Sequence, residues 1–354
     1  MKTLLRLLLK SQHQQNRSKP AQTEKGMTLI ELLIGTVMAF LIITPMLTFV
    51  VDMLNTDRRE QVKSNTEQDL QAATDFIAQD LSQAIYIYDN IDINGGTRGN
   101  VTVTGIKSQL PTNDATKIPI LVFWKRQQIK NAVPINSIIA TPKTCDATKC
   151  NDTYVLSLVA YYQFKDTDNT WCQPSGIPCP ARIARYEIRD GVRKPDPIAT
   201  DKNLPYYSVS DTVDTQQPDP AFNKYFDFTK PTEKVTLAGA GLTNAKSDVL
   251  VNYIDHTTPG PTLSPTECKT ALGNPTDPKD TTKFLDEGTL KVTDTEGRNS
   301  FYACVDTSRN LARVTIRGNS LRRLQPNDAK YNASRSAFFP TATVQVQGLG
   351  ARGK

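Results

Sequence analysis

Histidine is nearly missing from this chain: His13 and His256 are the only two in 354 residues. No Cys-x-x-Cys pair occurs, so the thiolate and imidazole spacing of a structural zinc site is absent. There is no Gly-x-Ser-x-Gly elbow, no His-Glu-x-x-His, and no Gly-x-Gly-x-x-Gly between a strand and a helix. Those absences leave no residues for a serine hydrolase, a zincin or a dinucleotide enzyme, and the chain is not expected to be an enzyme or to hold a metal or cofactor. His256 stands in a Pro/Thr stretch and is expected to be exposed. Internal repeats are lacking. Long apolar runs are lacking too, with one exception, and acids are scarce at both ends.

The exception is 27–51, 25 residues in which Glu31 is the sole ionisable side chain. That length crosses a hydrocarbon layer of about 30 Å. Before it, residues 1–26 carry Lys2, Arg6, Lys10, Arg17, Lys19 and Lys25 against Glu24 alone. A basic flank stays on the cytoplasmic side, which predicts one inner-membrane span with residues 52–354 in the periplasm or outside the cell. Six cysteines lie beyond the span: Cys145, Cys150, Cys172, Cys179, Cys268 and Cys304. An even number in an oxidising compartment predicts disulfides, and neighbour pairing is the simplest of the 15 schemes that six cysteines allow.

The segment Lys25-Gly26-Met27-Thr28-Leu29-Ile30-Glu31 places a basic residue, a glycine, and an apolar run broken by one glutamate. It resembles the processing site of type IV prepilins. The resemblance implies cleavage after Gly26 by a prepilin peptidase, removal of the leader 1–26, and N-methylation of Met27. It also implies that Glu31 neutralises the N-terminal amine of a neighbouring subunit, so that other pilins are partners through this helix and an inner-membrane platform assembles them. Physics points the same way, because a carboxylate within a bilayer is expensive and normally partnered. The leader is longer than many, and Met27 stands where many major pilins have Phe. Met is common in minor pilins and pseudopilins.

Gly35 and Ala39 form a small-xxx-small pair suited to close helix approach, and Pro45 should kink the helix or melt it locally. Residues 52–90 read as an amphipathic continuation: Leu70, Ala73, Phe76, Ile77, Leu81, Ala84, Ile85 and Tyr88 recur at steps of three and four. This part resembles the helix of large minor pilins and J-type pseudopilins. Short β-type runs follow at 101–105, 118–125, 154–164, 182–189, 235–238, 248–254, 289–292, 301–305, 312–317 and 342–347. The predicted class is α+β, with a long N-terminal membrane helix packed on an antiparallel globular domain, 91–354. Two Pro-, Asp- and Thr-rich stretches, about 191–232 and 255–285, read as long loops. The Asp89–Asn94 and Asp166–Asn169 clusters read as solvated turns.

Residues 309–354 hold nine Lys/Arg against Asp328. Arg313, Arg317, Arg322 and Arg323 are therefore candidate contacts for an anionic polymer, polysaccharide or DNA, or for an acidic neighbour. Two function classes follow: a minor pilin or pseudopilin that primes or caps a type IV pilus-like or type II secretion-like filament, and a pilus-tip binding module. The Pro/Thr-rich form is also similar to cyanobacterial pseudopilins linked to polysaccharide secretion.

Overall fold

A computed structural model describes residues 26–350, apart from 112–114, 136–147, 166, 177–178, 195–205, 208–216, 224, 227–244, 246, 259 and 279. The chain divides into two units, one ending at Arg58 and one from Arg59 onward. A single helix, α1 (Leu29–Ser82), contributes to both.

In the first unit the helix carries its apolar side chains outward. Leu29, Phe40, Leu41, Phe49 and Leu54 are all more than half exposed. Thr36, Thr44, Thr48 and Thr56 each return their hydroxyl to a carbonyl three or four residues back, so these polar groups need no outside partner.

In the second unit the helix buries one stripe, Thr66, Leu70, Ala73, Ile77 and Leu81. The predicted stripe holds at Leu70, Ala73, Ile77 and Leu81, while Phe76 is 43% exposed and lies off it. Beyond it the structure departs from the expected helix over 52–90. Gln83 N bonds Asp80 O, closing the last turn, and Ala84–Ile87 becomes strand β1. Ile85-Tyr86-Ile87-Tyr88 is β-branched and aromatic, a composition that suits a pleated, half-buried surface. Its spacing fits a helix equally well, and pairing with the Phe123–Trp124 region decides the outcome.

After β1 come α2 (Asn90–Asn94), β2 (Gly96–Arg98) and β3 (Val101–Val103). Next are β4 (Lys117–Pro134), β5 (Cys150–Lys165), β6 (Ala181–Arg189) and β7 (Ser247–Ile254). The chain continues through α3 (Glu267–Ala271), β8 (Thr276–Asp277), β9 (Asp280–Phe284), α4 (Glu287–Leu290) and β10 (Lys291–Val292). It ends with β11 (Phe301–Asp306), β12 (Leu311–Arg317), α5 (Leu321–Leu324) and β13 (Thr341–Gln347). Two larger antiparallel sheets result, ordered β1-β4-β5-β6-β7 and β10-β11-β12-β13, beside the two-stranded ribbons β2-β3 and β8-β9. The fold class is α+β, as the sequence predicts. Of the expected strands, 235–238 lies outside the described residues, and 289–292 is divided between α4 and β10.

One apolar cluster joins the α1 stripe to Phe123, Trp124 and Tyr161 of the first sheet and to Phe301, Val314 and Ile316 of the second. Gly318, just past β12, has no room for a side chain: a Cβ there would stand 2.8 Å from Thr66 Cγ2 and 3.1 Å from Leu70 Cδ1 of α1. Phe222 and Phe226, in the 191–232 stretch, pack on Trp124 at centroid distances of 6.1 and 4.5 Å.

The 255–285 stretch is not a plain loop. It carries α3, β8 and β9, and it buries Cys268 and Leu272 against Leu290, Tyr302 and Cys304. The Pro/Asp/Thr composition hides this because the segment is anchored by a few residues and one disulfide rather than by a periodic face.

Candidate functional site

Gly26 and Met27 are exposed, and a Cβ built at Gly26 would meet nothing within 4 Å. Lys25 lies outside the described residues. Thr28 precedes the first helical residue, and Glu31 reaches back to it. Thr28 N donates to Glu31 Oε2 at 3.2 Å and Thr28 Oγ1 donates to the same oxygen at 3.1 Å. Glu31 N in turn donates to Thr28 Oγ1 at 3.4 Å. This reciprocal arrangement is a capping box, which satisfies two N–H groups that the first helical turn leaves open and sets a carboxylate at the positive end of the helix dipole. Thr28 was not among the residues singled out from the sequence, although Thr-x-x-Glu before an apolar run is the readable signal.

Glu31 is thus held within its own chain, on a surface otherwise apolar. Gly35 and Ala39 lie exposed on the same helix, and a Cβ at Gly35 would meet nothing within 4 Å. Pro45 sits inside α1 without ending it. The Thr44 and Thr48 hydroxyls on either side bond Phe40 O and Thr44 O. The described residues hold one helix long and apolar enough to cross a membrane, and it is this one, with a mean hydropathy of 2.3 over its best 18 residues.

In the second unit, buried charge fixes α1 to the first sheet. Asp80 accepts from Lys125 Nζ at 2.9 Å, Tyr161 Oη at 2.8 Å and Arg185 Nε at 2.7 Å. Glu187 pairs with Arg185 at 2.7 Å and with Lys125 at 3.5 Å, so two cations meet two carboxylates. Burial raises the Asp80 carboxyl, but the Arg185 and Lys125 contacts outweigh it and the net displacement is downward.

Two further clusters correct the sequence reading. Asp89 and Asp92 are not solvated: they are 5% and 0% exposed. Asp89 caps α2 by accepting from Asp92 N at 3.0 Å, and Arg98 bridges both carboxylates. Burial together with the nearby Asp92 charge pushes Asp89 up to about 6, against the opposing pull of Arg98 and the α2 amides. His256 is half-buried rather than exposed. Burial lowers it to about 4 against the opposing pull of Asp255, with the Arg322 and Arg298 charges adding to the lowering.

The four arginines proposed for polymer contact do not share a surface. Arg317 is 4% exposed and binds Asp255 Oδ2 through Nε at 2.9 Å and Nη2 at 2.8 Å. Arg322 is fully buried and donates to Gly176 O at 3.1 Å. Arg323 pairs with Asp69 of α1 and lies over the Tyr253 ring, 4.5 Å from its centroid. Arg313 and Arg323 are both partly exposed, and of the two Arg313 makes no ion pair among the described residues. Their cationic charge is largely spent on holding the fold.

Cys172–Cys179 and Cys268–Cys304 form disulfides, as neighbour pairing predicts. The first closes the turn between β5 and β6. Cys150 opens β5, and Cys145 lies outside the described residues. No three His, Cys, Asp or Glu side chains converge in a metal-holding group among the described residues. Comparison with protein-family models, with curated proteins and with solved structures finds no match to this chain.

Proposed function

We propose that this chain is a pilin-like filament subunit, a minor pilin or pseudopilin. A prepilin peptidase cuts it after Gly26 and methylates Met27. Its N-terminal helix then passes from the inner membrane into a filament through an assembly platform, with the globular domain periplasmic or extracellular.

The observation that carries this reading is Glu31. It is the one ionisable group in the apolar run and stands four residues past Met27 on a surface that the first unit leaves exposed. A carboxylate there is costly in lipid, and a capping box satisfies only part of its hydrogen-bonding capacity. Pairing with the amine of a neighbour's Met27 neutralises both charges and fixes the axial offset of adjacent subunits. Gly35 and Ala39 permit close helix approach at that offset. The reading as a tip module for polysaccharide or DNA is not carried further, because two of its four arginines are buried and a third is paired.

The test is intact mass and N-terminal sequencing with and without an active prepilin peptidase. A chain beginning at N-methylated Met27 only when the peptidase is active is the expected result. Retention of 1–26, or a cut elsewhere, would sink the proposal. Glu31→Ala should leave cleavage intact and abolish incorporation into filaments.

A further inference from the structure

The four outer edges of the two larger sheets are not treated alike. β1 is four residues long, is interrupted by a register shift, and has Ala84 O and Ile87 O taken by Asn310 Nδ2 and Thr307 Oγ1. β10 has two residues. β7 carries Asp248 and breaks register with β6 twice. Short length, bulges, charge and cover are the means by which natural edges avoid pairing.

β13 has none of them. Its seven residues pair with β12 from Leu311↔Gln347 to Arg317↔Thr341 without a shift. Thr-Ala-Thr-Val-Gln-Val-Gln contains no charge, proline or glycine. No strand pairs with its other side among the described residues, and no hydrogen bond from 341–347 to another element occupies that side. Thr341, Thr343, Gln345 and Gln347 are exposed, while Ala342, Val344 and Val346 turn toward the core.

We propose that β13 is a docking edge for an extended strand of a different protein chain. That strand is apolar at alternate positions and carries one carboxylate opposite Gln345. The backbone groups of β13 supply main-chain pairing, and its inward valines extend the apolar face onto which alternate residues of the incoming strand fold. The carboxylate follows from charge. Arg313 is the cross-strand neighbour of Gln345 and has no ion pair among the described residues. An added strand lies about 10 Å from β12, two strand spacings away, a gap that an Arg and a Glu side chain bridge between them. The inference does not depend on the filament reading.

The probe is the labelled peptide Val-Thr-Val-Glu-Val-Thr-Val, which reads alike in both directions and sets its glutamate on the outward face. Binding to the full chain in detergent micelles is followed by fluorescence anisotropy and by hydrogen exchange. Saturable binding with new protection at 341–347 is expected, and N-methylating alternate peptide amides should abolish it. Arg313→Gln should weaken the Glu probe about fivefold, the scale of an exposed ion pair, and leave a Gln-centred probe unchanged. Gln345→Glu, an exposed change that keeps the fold, should weaken the Glu probe further. No saturable binding, binding that survives N-methylation, or protection elsewhere would overturn the proposal. A concentration-dependent dimer that the probe displaces would give the edge to a second copy of this chain and overturn the different-chain occupant.

Discussion

Asp89 and His256 lie far apart in sequence and titrate over the same pH range with opposite effects on stability. Asp89 has its folded value raised to about 6 from 3.8, so its contribution is fully present below pH 3.8 and is lost as pH rises through 6. His256 has its folded value lowered to about 4 from 6.5, so its contribution is present above pH 6.5 and is lost as pH falls toward 4. Taking the protein from pH 7 to pH 4 should therefore gain about 2–3 kcal/mol at Asp89 and lose about 2–3 kcal/mol at His256. The two changes nearly cancel, and each single variant exposes the other. Asp89→Asn still caps α2 and still accepts from Arg98, so the fold survives. It should be more stable than the parent at pH 7 and should lose stability on acidification. His256→Gln should show the reverse slope, gaining stability from pH 6.5 to 4. Urea unfolding of the full chain in detergent, at half-unit pH steps, measures both slopes; urea is chosen because guanidinium would screen the charges. Two variants with slopes of the same sign, or a His256→Gln profile that falls toward acid, would refute the reasoning.

Two other outcomes are expected by the same assay. Asp80→Asn removes the negative charge that Lys125 and Arg185 share and leaves Glu187 as the one carboxylate paired with both. The loss should be about 3 kcal/mol, partly recovered when Lys125→Met is added. For the disulfides, Cys268–Cys304 closes 36 residues and Cys172–Cys179 closes 7. Replacing the first pair with serine should cost about 4 kcal/mol and the second about 2.5 kcal/mol by loop entropy, so an inverted order would show that native packing, not loop length, decides.

The helix and strands were legible where side-chain period and local composition agree. The alternation of β12 puts Ala312, Val314 and Ile316 on one face, and local composition located β6, β11 and β13 almost to the residue, while β5 begins four residues before the expected run. The signal failed at Ala84–Ile87, where the same apolar residues satisfy a helical and a strand spacing. Only the cross-strand partner 38 positions away, Trp124 for Tyr86, separates the two.

The charged residues divide along the same line, between what is local and what is not. Glu31 stands out in the sequence because its surroundings are local, an apolar run with no other ionisable group, although its cap Thr28, three residues before it, was passed over. The arginines near the C-terminus were misread because a run of like charge looks the same whether its partners are outside the protein or inside it. Arg317 is buried on account of Asp255, 62 residues earlier, and Arg323 is held by Asp69, 254 residues earlier. Asp255 in turn lies in a Pro/Thr stretch that shows no period. Arg317 is buried with its carboxylate and Arg322 is buried against the Gly176 carbonyl, and neither partner shows in the local charge pattern. Arg313 escapes because its strand neighbours Cys304 and Gln345 carry no charge. Of these four arginines, Arg313 is the one with no ion pair among the described residues, and it is the one that the proposed docking strand would engage.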